Sequence, residues 1–356
     1  MNTCAIGRRR LLAAAALAAL PPARAANADE RFAALRRPAV AVRAPGGAVL
    51  QAAALAGGRI VAVGERGVVA LSDDGARSWR QALQVPTSVT LTAVRFADAQ
   101  HGWAVGHAGV ILATQDGGER WVLQADGRSL AAAAEVAARA RPDQPPLAKE
   151  AALLVADGPD KPLLDLHVVD ARRLFVVGAY NLAFESEDGG ASWRAALERM
   201  DNPKAQHLYA LAARGDTWLV AGEQGLLMRS RDGGRSFRRL NSPYAGSWFA
   251  LATRGQSEWI VAGLRGHACR STDDGDSWMA LDGAAPASFV SAAALPDGGV
   301  LLANQAGQLY TTRGAALAAL AVPNLPPLTQ ALALPGGDLL ALGMAGALRL
   351  PRKDKA

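Results

Sequence analysis

The sequence predicts an all-β fold, a seven-bladed β-propeller built from four-stranded antiparallel blades. Three observations predict it. A block of about forty residues recurs seven times, an acidic turn motif follows five of the copies, and each copy contains several short strand-like segments. Because four strands at this period form one blade and seven blades close a ring, the repeat count determines the architecture.

Each repeat contains a glycine-rich turn between two strand-like segments. The turn blocks are VAVGERG, WAVGHAG, FVVGAYN, LVAGEQG, IVAGLRG, LLANQAG and LALGMAG, and they end at residues 67, 109, 181, 225, 266, 307 and 346. The steps between these ends are 42, 72, 44, 41, 41 and 39 residues. The single long step predicts an insertion after the second blade.

Five repeats continue into a boxed motif with a Ser or Thr, an Asp two positions later and an aromatic residue seven positions later. A carboxylate at this place can accept hydrogen bonds from nearby backbone N–H groups, and the aromatic ring can be buried between blades. The residues predicted to have these structural roles are Asp74, Trp79, Asp116, Trp121, Asp188, Trp193, Asp232, Phe237, Asp273 and Trp278. Five copies spread around a ring cannot converge on one catalytic centre, and none has the twelfth-position glutamate of an EF-hand calcium loop.

The two ends of the chain predict how the ring closes. The last turn block is followed only by ALRLPRKDKA, which is enough for a third strand but not for a fourth. The segment Pro38 to Ala44 is a spare strand-like run near the start. We expect this N-terminal strand to pair with the last blade and cover an open sheet edge.

The insertion at residues 127–162 has a helical composition. The segments SLAAAAEVAARAR and LAKEAALLVA are rich in helix formers and are separated by prolines. They predict a helical hairpin between blades two and three. Its connection lies on the same face as the glycine-rich turns, so we expect it to overhang one mouth of the central channel.

Residues 1–25 have the pattern of a signal peptide. Arg8, Arg9 and Arg10 precede an uncharged apolar run, and Ala23-Arg24-Ala25 offers small residues before a cut at Ala26. Export to the periplasm follows, by either the general secretory or the twin-arginine route. Residues 26–356 should then form a single propeller domain.

Composition narrows the function of the mature chain. No later run reaches the roughly 20 apolar residues of a membrane span. The formal charge of +6 falls to +2 once four leader arginines are removed, which is a weak indication of nucleic-acid binding. Cys269 remains as one cysteine, so we expect no internal disulfide, zinc site or other cofactor.

The channel mouth on the face of the glycine-rich turns is the natural place for a ligand. Its candidate residues are Glu65, His107, Tyr180, Asn181, His207, Glu223, Tyr244, Trp248 and Arg265. A sialidase-like or other glycan-processing enzyme would need an arginine triad beside a tyrosine and a carboxylate. A glycan-binding lectin would use Tyr180, Tyr244 and Trp248 as aromatic shelves. Both remain alternatives to a protein-binding propeller.

The boxed motifs resemble Asp-box, or BNR, repeats. The turn blocks, the DGGxSW boxes, the leader and the segment from Pro162 to Asn181 together resemble the family of photosystem II assembly and stability factors. This resemblance implies a non-catalytic propeller outside the cytoplasm that holds a membrane protein or membrane-protein complex through an arginine-rich surface. No feature indicates a photosynthetic host, so the photosystem itself is not implied.

The arginines that match such a surface lie in blades three and four. They are Arg194, Arg199, Arg229, Arg231, Arg235, Arg238 and Arg239. Arginine side chains can also stack on aromatic rings along a solvated edge, so a structural role for them is an open alternative. We expect a monomer that binds a membrane-protein partner and no nucleic acid.

Overall fold

The computed structural model describes residues 32–255 and 258–351, which form a ring of seven β-sheets. The predicted leader at residues 1–25, including Cys4, lies outside the described residues. Six sheets have four antiparallel strands and the seventh has three. The predicted seven-bladed propeller with one helical insertion is confirmed.

The first four blades follow one pattern from the inner to the outer strand. Blade one contains β1 (Leu50–Ala56), β2 (Arg59–Gly64), β3 (Val69–Ser72) and β4 (Arg80–Gln81). Blade two contains β5 (Leu91–Phe96), β6 (Gly102–Gly106), β7 (Ile111–Thr114) and β8 (Val122–Ala125). Blade three contains β9 (Leu163–Val168), β10 (Leu174–Gly178), β11 (Ala183–Ser186) and β12 (Arg194–Ala195). Blade four contains β13 (Leu208–Arg214), β14 (Thr217–Gly222), β15 (Leu227–Ser230) and β16 (Arg238–Arg239).

The remaining blades complete the ring. Blade five contains β17 (Trp248–Arg254), β18 (Glu258–Gly263), β19 (Ala268–Ser271) and β20 (Met279–Ala280). Blade six contains β21 (Phe289–Ala294), β22 (Val300–Asn304), β23 (Leu309–Arg313) and β24 (Ala316–Ala319). Blade seven contains β25 (Leu328–Ala333), β26 (Leu339–Gly343) and β27 (Gly346–Leu350).

The hydrophobic core consists of apolar layers between neighbouring blades. The second strand of each blade is buried along most of its length, because both of its faces contact other blades. Two box aromatics, Trp121 and Phe237, are at most 2% exposed and fill the space toward the preceding blade. The box therefore contributes to blade spacing as well as to the turn.

The aspartate of each box holds its own turn together. The Ser186 hydroxyl donates to Asp188 Oδ1 at 2.8 Å, and the Ser192 N–H donates to the same oxygen at 2.9 Å. The Ser192 hydroxyl donates to Asp188 Oδ2 at 2.5 Å. These bonds, led by that of the Ser192 hydroxyl, lower the pKa of Asp188 to about 2. The boxes of Asp74, Asp232 and Asp273 repeat this arrangement.

The predicted N-terminal strand from Pro38 to Ala44 is wrong, because this segment forms no strand and does not pair with β27. Its backbone is bonded elsewhere. The Val40 N–H donates to the Arg66 carbonyl at 3.1 Å, and the Val42 N–H donates to Gln81 Oε1 at 3.0 Å. Both acceptors belong to blade one, so the segment lies along the first blade.

The inner strands close the ring instead. The Thr329 hydroxyl of blade seven donates to the Leu50 carbonyl of blade one at 2.7 Å. The Ala53 N–H of blade one donates to Gln330 Oε1 at 2.5 Å. These two bonds join the first and last blades at the channel wall.

The insertion forms two helices, α1 (Gly127–Arg139) and α2 (Pro145–Asp157). Asp126 caps α1 by accepting the backbone N–H groups of Arg128 and Ser129. The buried face of α1, with Leu130, Ala131 and Ala134, packs against the outer strands of blades two and three. The hairpin therefore covers the outer part of these blades. No helix within residues 32–255 and 258–351 combines the length and apolar character that crossing a bilayer requires.

The Asp188 turn predicts a specific acid sensitivity. The folded-state pKa of about 2 lies below the unfolded value of about 3.9, so the stabilisation is complete above the unfolded value and is lost as the pH falls toward 2. Asp188→Asn should lower stability at pH 7 by about 1–2 kcal/mol and reduce the further loss between pH 5 and 2. Melting curves across this pH range measure both effects. Asp143→Asn, in the exposed loop between the helices, is the control, and equal behaviour of the two variants would contradict the account.

Candidate functional site

The predicted arginine surface separates into buried and exposed members. Arg199 donates to Glu185 Oε2 at 2.7 Å, and Arg173 donates to Glu185 Oε1 at 3.0 and 2.9 Å. The Glu185 side chain is 3% exposed. Burial alone would raise the pKa of Glu185, but the bonds to Arg199 and Arg173 outweigh it and hold the pKa below its usual value. Arg199 therefore has a structural role.

Arg229 also has a structural role, because it bonds to the neighbouring blade. This corrects the prediction that Arg229 belongs to a binding surface. Its guanidinium donates to the Asp274 carbonyl at 2.9 Å and to Asp276 Oδ1 at 2.8 Å, both in the box turn of blade five. Its side chain is 14% exposed because the next blade covers it. Arg229 thus joins blades four and five, and its side chain is largely inaccessible to a binding partner.

Three of the other predicted arginines are exposed, and the side chain of each bonds to another residue of this chain. Arg194 pairs with Glu187, Arg231 donates to Asp276 Oδ2 at 3.1 Å, and Arg239 donates to Gln206 Oε1 at 3.0 Å. The exposed ion pairs of Arg194 and Arg231 contribute little free energy, so a partner could replace them.

Arg235 and Arg238 have the freest side chains of this group. Arg235 reaches only the Asp232 carbonyl, at 3.3 Å. The exposed Arg238 guanidinium has no hydrogen-bond or ion-pair partner in the described part of the chain. An exposed guanidinium with unused donors can bind a carboxylate in a bidentate manner.

Arg235 and Arg238 border a groove of about 370 Å³ between the helical insertion and blade four. Its lining residues are Arg141, Gln144, Glu198, Arg199, Met200, Asp201, Arg235, Ser236, Phe237 and Arg238. Met200 and Phe237 are buried and contribute an apolar floor. We call this feature the arginine groove.

The arginine groove carries an excess of positive charge. It contains four arginines and two acids. Arg141 is paired with Glu198 at 2.6 Å, and Arg199 is paired with Glu185. Asp201 accepts the backbone N–H of Arg239 at 3.0 Å. The side chains left for a ligand are mainly the guanidinium groups of Arg235 and Arg238, whose two positive charges exceed the one negative charge of Asp201 and favour an acidic group.

Sequence inspection missed Arg141. It lies just after α1, about 95 residues before Arg235 in the chain, and only the packing of the insertion on blade three brings the two together. The arginine-rich end of the first predicted helix was the one signal that could have pointed to it.

Two predicted channel-mouth residues are corrected by burial. Asn181 is 3% exposed and accepts from Asn202 Nδ2 at 2.9 Å, while Trp248 is fully buried and donates to the Ser242 hydroxyl at 3.0 Å. Their hydrogen bonds hold connections between blades, so neither offers a face to a ligand.

The other predicted mouth residues are spread over the turns. His107, Tyr180 and Arg265 are exposed, and Glu65 is half-buried. The structure brings together Tyr180, His207 and Glu223: the Tyr180 N–H donates to His207 Nδ1 at 2.9 Å, and His207 Nδ1 lies 4.0 Å from Glu223. Tyr244 stacks on His267 with ring centroids 3.8 Å apart.

These positions do not assemble the alternative sites. His207, and not an arginine, lies beside Tyr180 and Glu223. Of the three proposed sugar shelves, Trp248 is buried and Tyr244 is covered on one face by His267. Within residues 32–255 and 258–351, no three His, Cys, Asp or Glu side chains lie close enough to hold a metal ion.

Two channel residues were not among the predicted site residues. Tyr209 and Phe249 line the channel on the inner strands of blades four and five, with ring centroids 5.1 Å apart. Each is the second residue of an inner strand, and the aromatic character at that equivalent position was the available signal.

The buried role of Glu185 can be tested against its exposed neighbour. Glu185→Ala leaves Arg173 and Arg199 without their carboxylate and should cost about 3 kcal/mol. Glu187→Ala removes only the exposed pair with Arg194 and should cost about 0.5 kcal/mol or less. Urea unfolding measures both, and similar losses in the two variants would remove the structural assignment of Glu185.

Comparison with known proteins supports the fold and the family. A family model described as "Photosynthesis system II assembly factor YCF48" matches residues 69–140 and 154–318. The photosystem II assembly lipoprotein Ycf48 of Synechococcus sp. (strain CC9902) is 30% identical over 96 residues, which are 26% of this chain and 29% of that protein. The photosystem II assembly protein Ycf48 of Thermosynechococcus vestitus is 42% identical over 41 residues, 12% of each chain. These matches span less than a third of either relative.

Solved structures show the same fold over most of the chain. A structure described as YCF48 bound to D1 peptide has a TM-score of 0.64 and 16% identity, and it covers 89% of this chain and 100% of that one. YCF48 from Cyanidioschyzon merolae has a TM-score of 0.64 and 13% identity, covering 87% and 97%. Because the family model matches more than half of the residues of this chain, the chain belongs to the YCF48 family of photosystem II assembly factors.

Proposed function

We propose that this protein is a non-catalytic binding protein that acts outside the cytoplasm and holds a membrane-protein partner as an assembly or accessory factor. Three observations support the proposal. The chain belongs to a family of assembly factors, one relative is named a lipoprotein, and one structural relative is described as bound to a D1 peptide. The predicted leader agrees with export to the periplasm.

The arginine groove is the proposed docking site, and the free guanidinium of Arg238 is the observation that carries it. Arg235 lies in the same groove with a single bond to a carbonyl group. An acidic segment of the partner could pair with both arginines while its apolar atoms contact Met200 and Phe237. Exposed charges of this kind make association sensitive to salt.

The proposed client is a membrane protein that has an acidic segment on the side of the membrane to which the propeller is exported. An enzymatic role has less support, since the mouth residues lack the arginine cluster that a sialidase-like site would need.

A paired-variant capture experiment tests the proposed function. Arg235→Ala/Arg238→Ala should reduce capture of an integral membrane protein from solubilised native membranes by about tenfold, because two charge-assisted contacts are lost. Immobilised protein, elution with salt and identification by mass spectrometry measure the effect. The melting temperature should stay unchanged, since neither side chain joins two blades.

Arg194→Ala/Arg231→Ala is the matched control, because it removes two exposed arginines that do not line the groove. Capture by this variant should equal that of the unchanged protein. Equal losses in both double variants would show a diffuse charge effect and refute the groove. Turnover of a fluorogenic sialoside by the purified protein would refute the non-catalytic role.

A further inference from the structure

The channel wall contains a repeated hydrogen bond between neighbouring inner strands. In three interfaces the third residue of one inner strand accepts the N–H of the fourth residue of the next. Asp165 Oδ2 accepts from Leu211 at 3.0 Å, Ser291 Oγ accepts from Ala331 at 3.1 Å, and Gln330 Oε1 accepts from Ala53. A polar third residue thus satisfies an N–H group that points into the channel.

Four interfaces lack this acceptor, because the third residues of β1, β5, β13 and β17 are alanines. After β5 the Leu166 N–H donates to Asp165 Oδ1 instead, and after β1 the equivalent donor is the Val94 N–H. The other two are successive interfaces on one side of the channel. The third residues of β13 and β17 are Ala210 and Ala250, whose side chains cannot accept a hydrogen bond. The equivalent donors are the N–H groups of Leu251 and Ala292. Leu251 pairs with Val261, and Ala292 with Leu302, in the register that Leu211 has with Val220. These two N–H groups therefore point into the channel as that of Leu211 does.

The same part of the channel wall carries its two aromatic rings. The second residues of β13 and β17 are Tyr209 and Phe249, which belong to the blades with Ala210 and Ala250. The equivalent residues of the other blades are Gln51, Thr92, Leu164, Val290 and Thr329. Free donors, small side chains and an aromatic wall thus coincide on one side of the channel.

A cavity of about 130 Å³ lies in front of this wall. Cavities of roughly 150 Å³ hold a group as large as benzene, so this one has room for one aliphatic side chain or a small ring. All seven inner strands contribute to its lining, which places it within the channel.

A side-chain donor, the Arg95 guanidinium, also lines this cavity. Arg95 donates to Asp165 Oδ1 at 2.9 Å and to the Val94 carbonyl at 2.9 Å, and its side chain is still 39% exposed. Both Asp165 oxygens are already occupied, because Oδ1 also accepts the Leu166 N–H and Oδ2 accepts that of Leu211. A guanidinium has five N–H donors, so Arg95 keeps some for a ligand.

We propose that the channel binds a carboxylate that carries a short apolar group. The apolar group lies against Tyr209 and Phe249, and the carboxylate accepts the N–H groups of Leu251 and Ala292. Backbone N–H groups directed into a concave site bind anions in this way. The site is separate from the arginine groove and does not depend on the proposed function.

Calorimetry with N-acetyl-L-leucine tests the proposal. The unchanged protein should bind this acid and should bind N-acetyl-L-leucine amide about tenfold more weakly, because the amide lacks the charged acceptor. Ala210→Ser/Ala250→Ser supplies each free N–H with an internal acceptor, as Ser291 does in blade six, and should weaken acid binding about tenfold. Ala250→Asp introduces the carboxylate that Asp165 has at the equivalent position of blade three, and it should abolish binding by charge repulsion.

Ala52→Ser is the matched control, since it makes the same change in blade one, away from Tyr209 and Phe249, and should leave binding unaltered. An acetylated tetrapeptide ending in leucine distinguishes the sources: tighter binding than N-acetyl-L-leucine indicates a peptide C-terminus, and weaker binding indicates a free small carboxylate. The proposal is overturned if the acid does not bind at millimolar concentration, if acid and amide bind equally, or if the double serine variant, shown to be folded by its melting curve, binds as before.

Discussion

The ring depends on contacts in which an arginine of one blade bonds to the box turn of the next. Arg59 donates to the Gly117 carbonyl, Arg173 to that of Gly233 and Arg229 to that of Asp274. Each contact joins two sheets whose faces otherwise meet mainly in apolar side-chain layers. Because a single blade cannot bury its faces alone, the ring is stable only when neighbouring blades are held in register.

This contact also explains why the chain is rich in arginine although many of the arginine side chains are not available to a binding partner. Arg173 lies 5.3 Å from the centroid of the Trp218 ring while it pairs with the buried Glu185. Such an arginine combines charge pairing, ring stacking and a carbonyl contact. Among the predicted arginines of blades three and four, Arg235 and Arg238 are the ones most available to a ligand.

The sequence was sufficient for the features that depend on local residue types. The Asp188 turn could be predicted because its acceptor and donors lie within a few residues, and the helical insertion could be predicted from composition. The course of the segment from Pro38 to Ala44 could not, because it depends on a long-range bond to Gln81. The roles of Arg229 and Arg238 could not be separated either, since the box turn that binds Arg229 lies 45 residues away.

We propose that a partner docks in the arginine groove, between the helical insertion and blade four. Site-specific photocrosslinking in native membranes tests it most directly, with p-benzoylphenylalanine in place of Gln144, an exposed residue that lines the groove, or, as the reference position, Arg231. We expect a crosslinked membrane protein from position 144 and a much weaker product from position 231. A strong product from position 231 with none from position 144 would contradict docking in the groove.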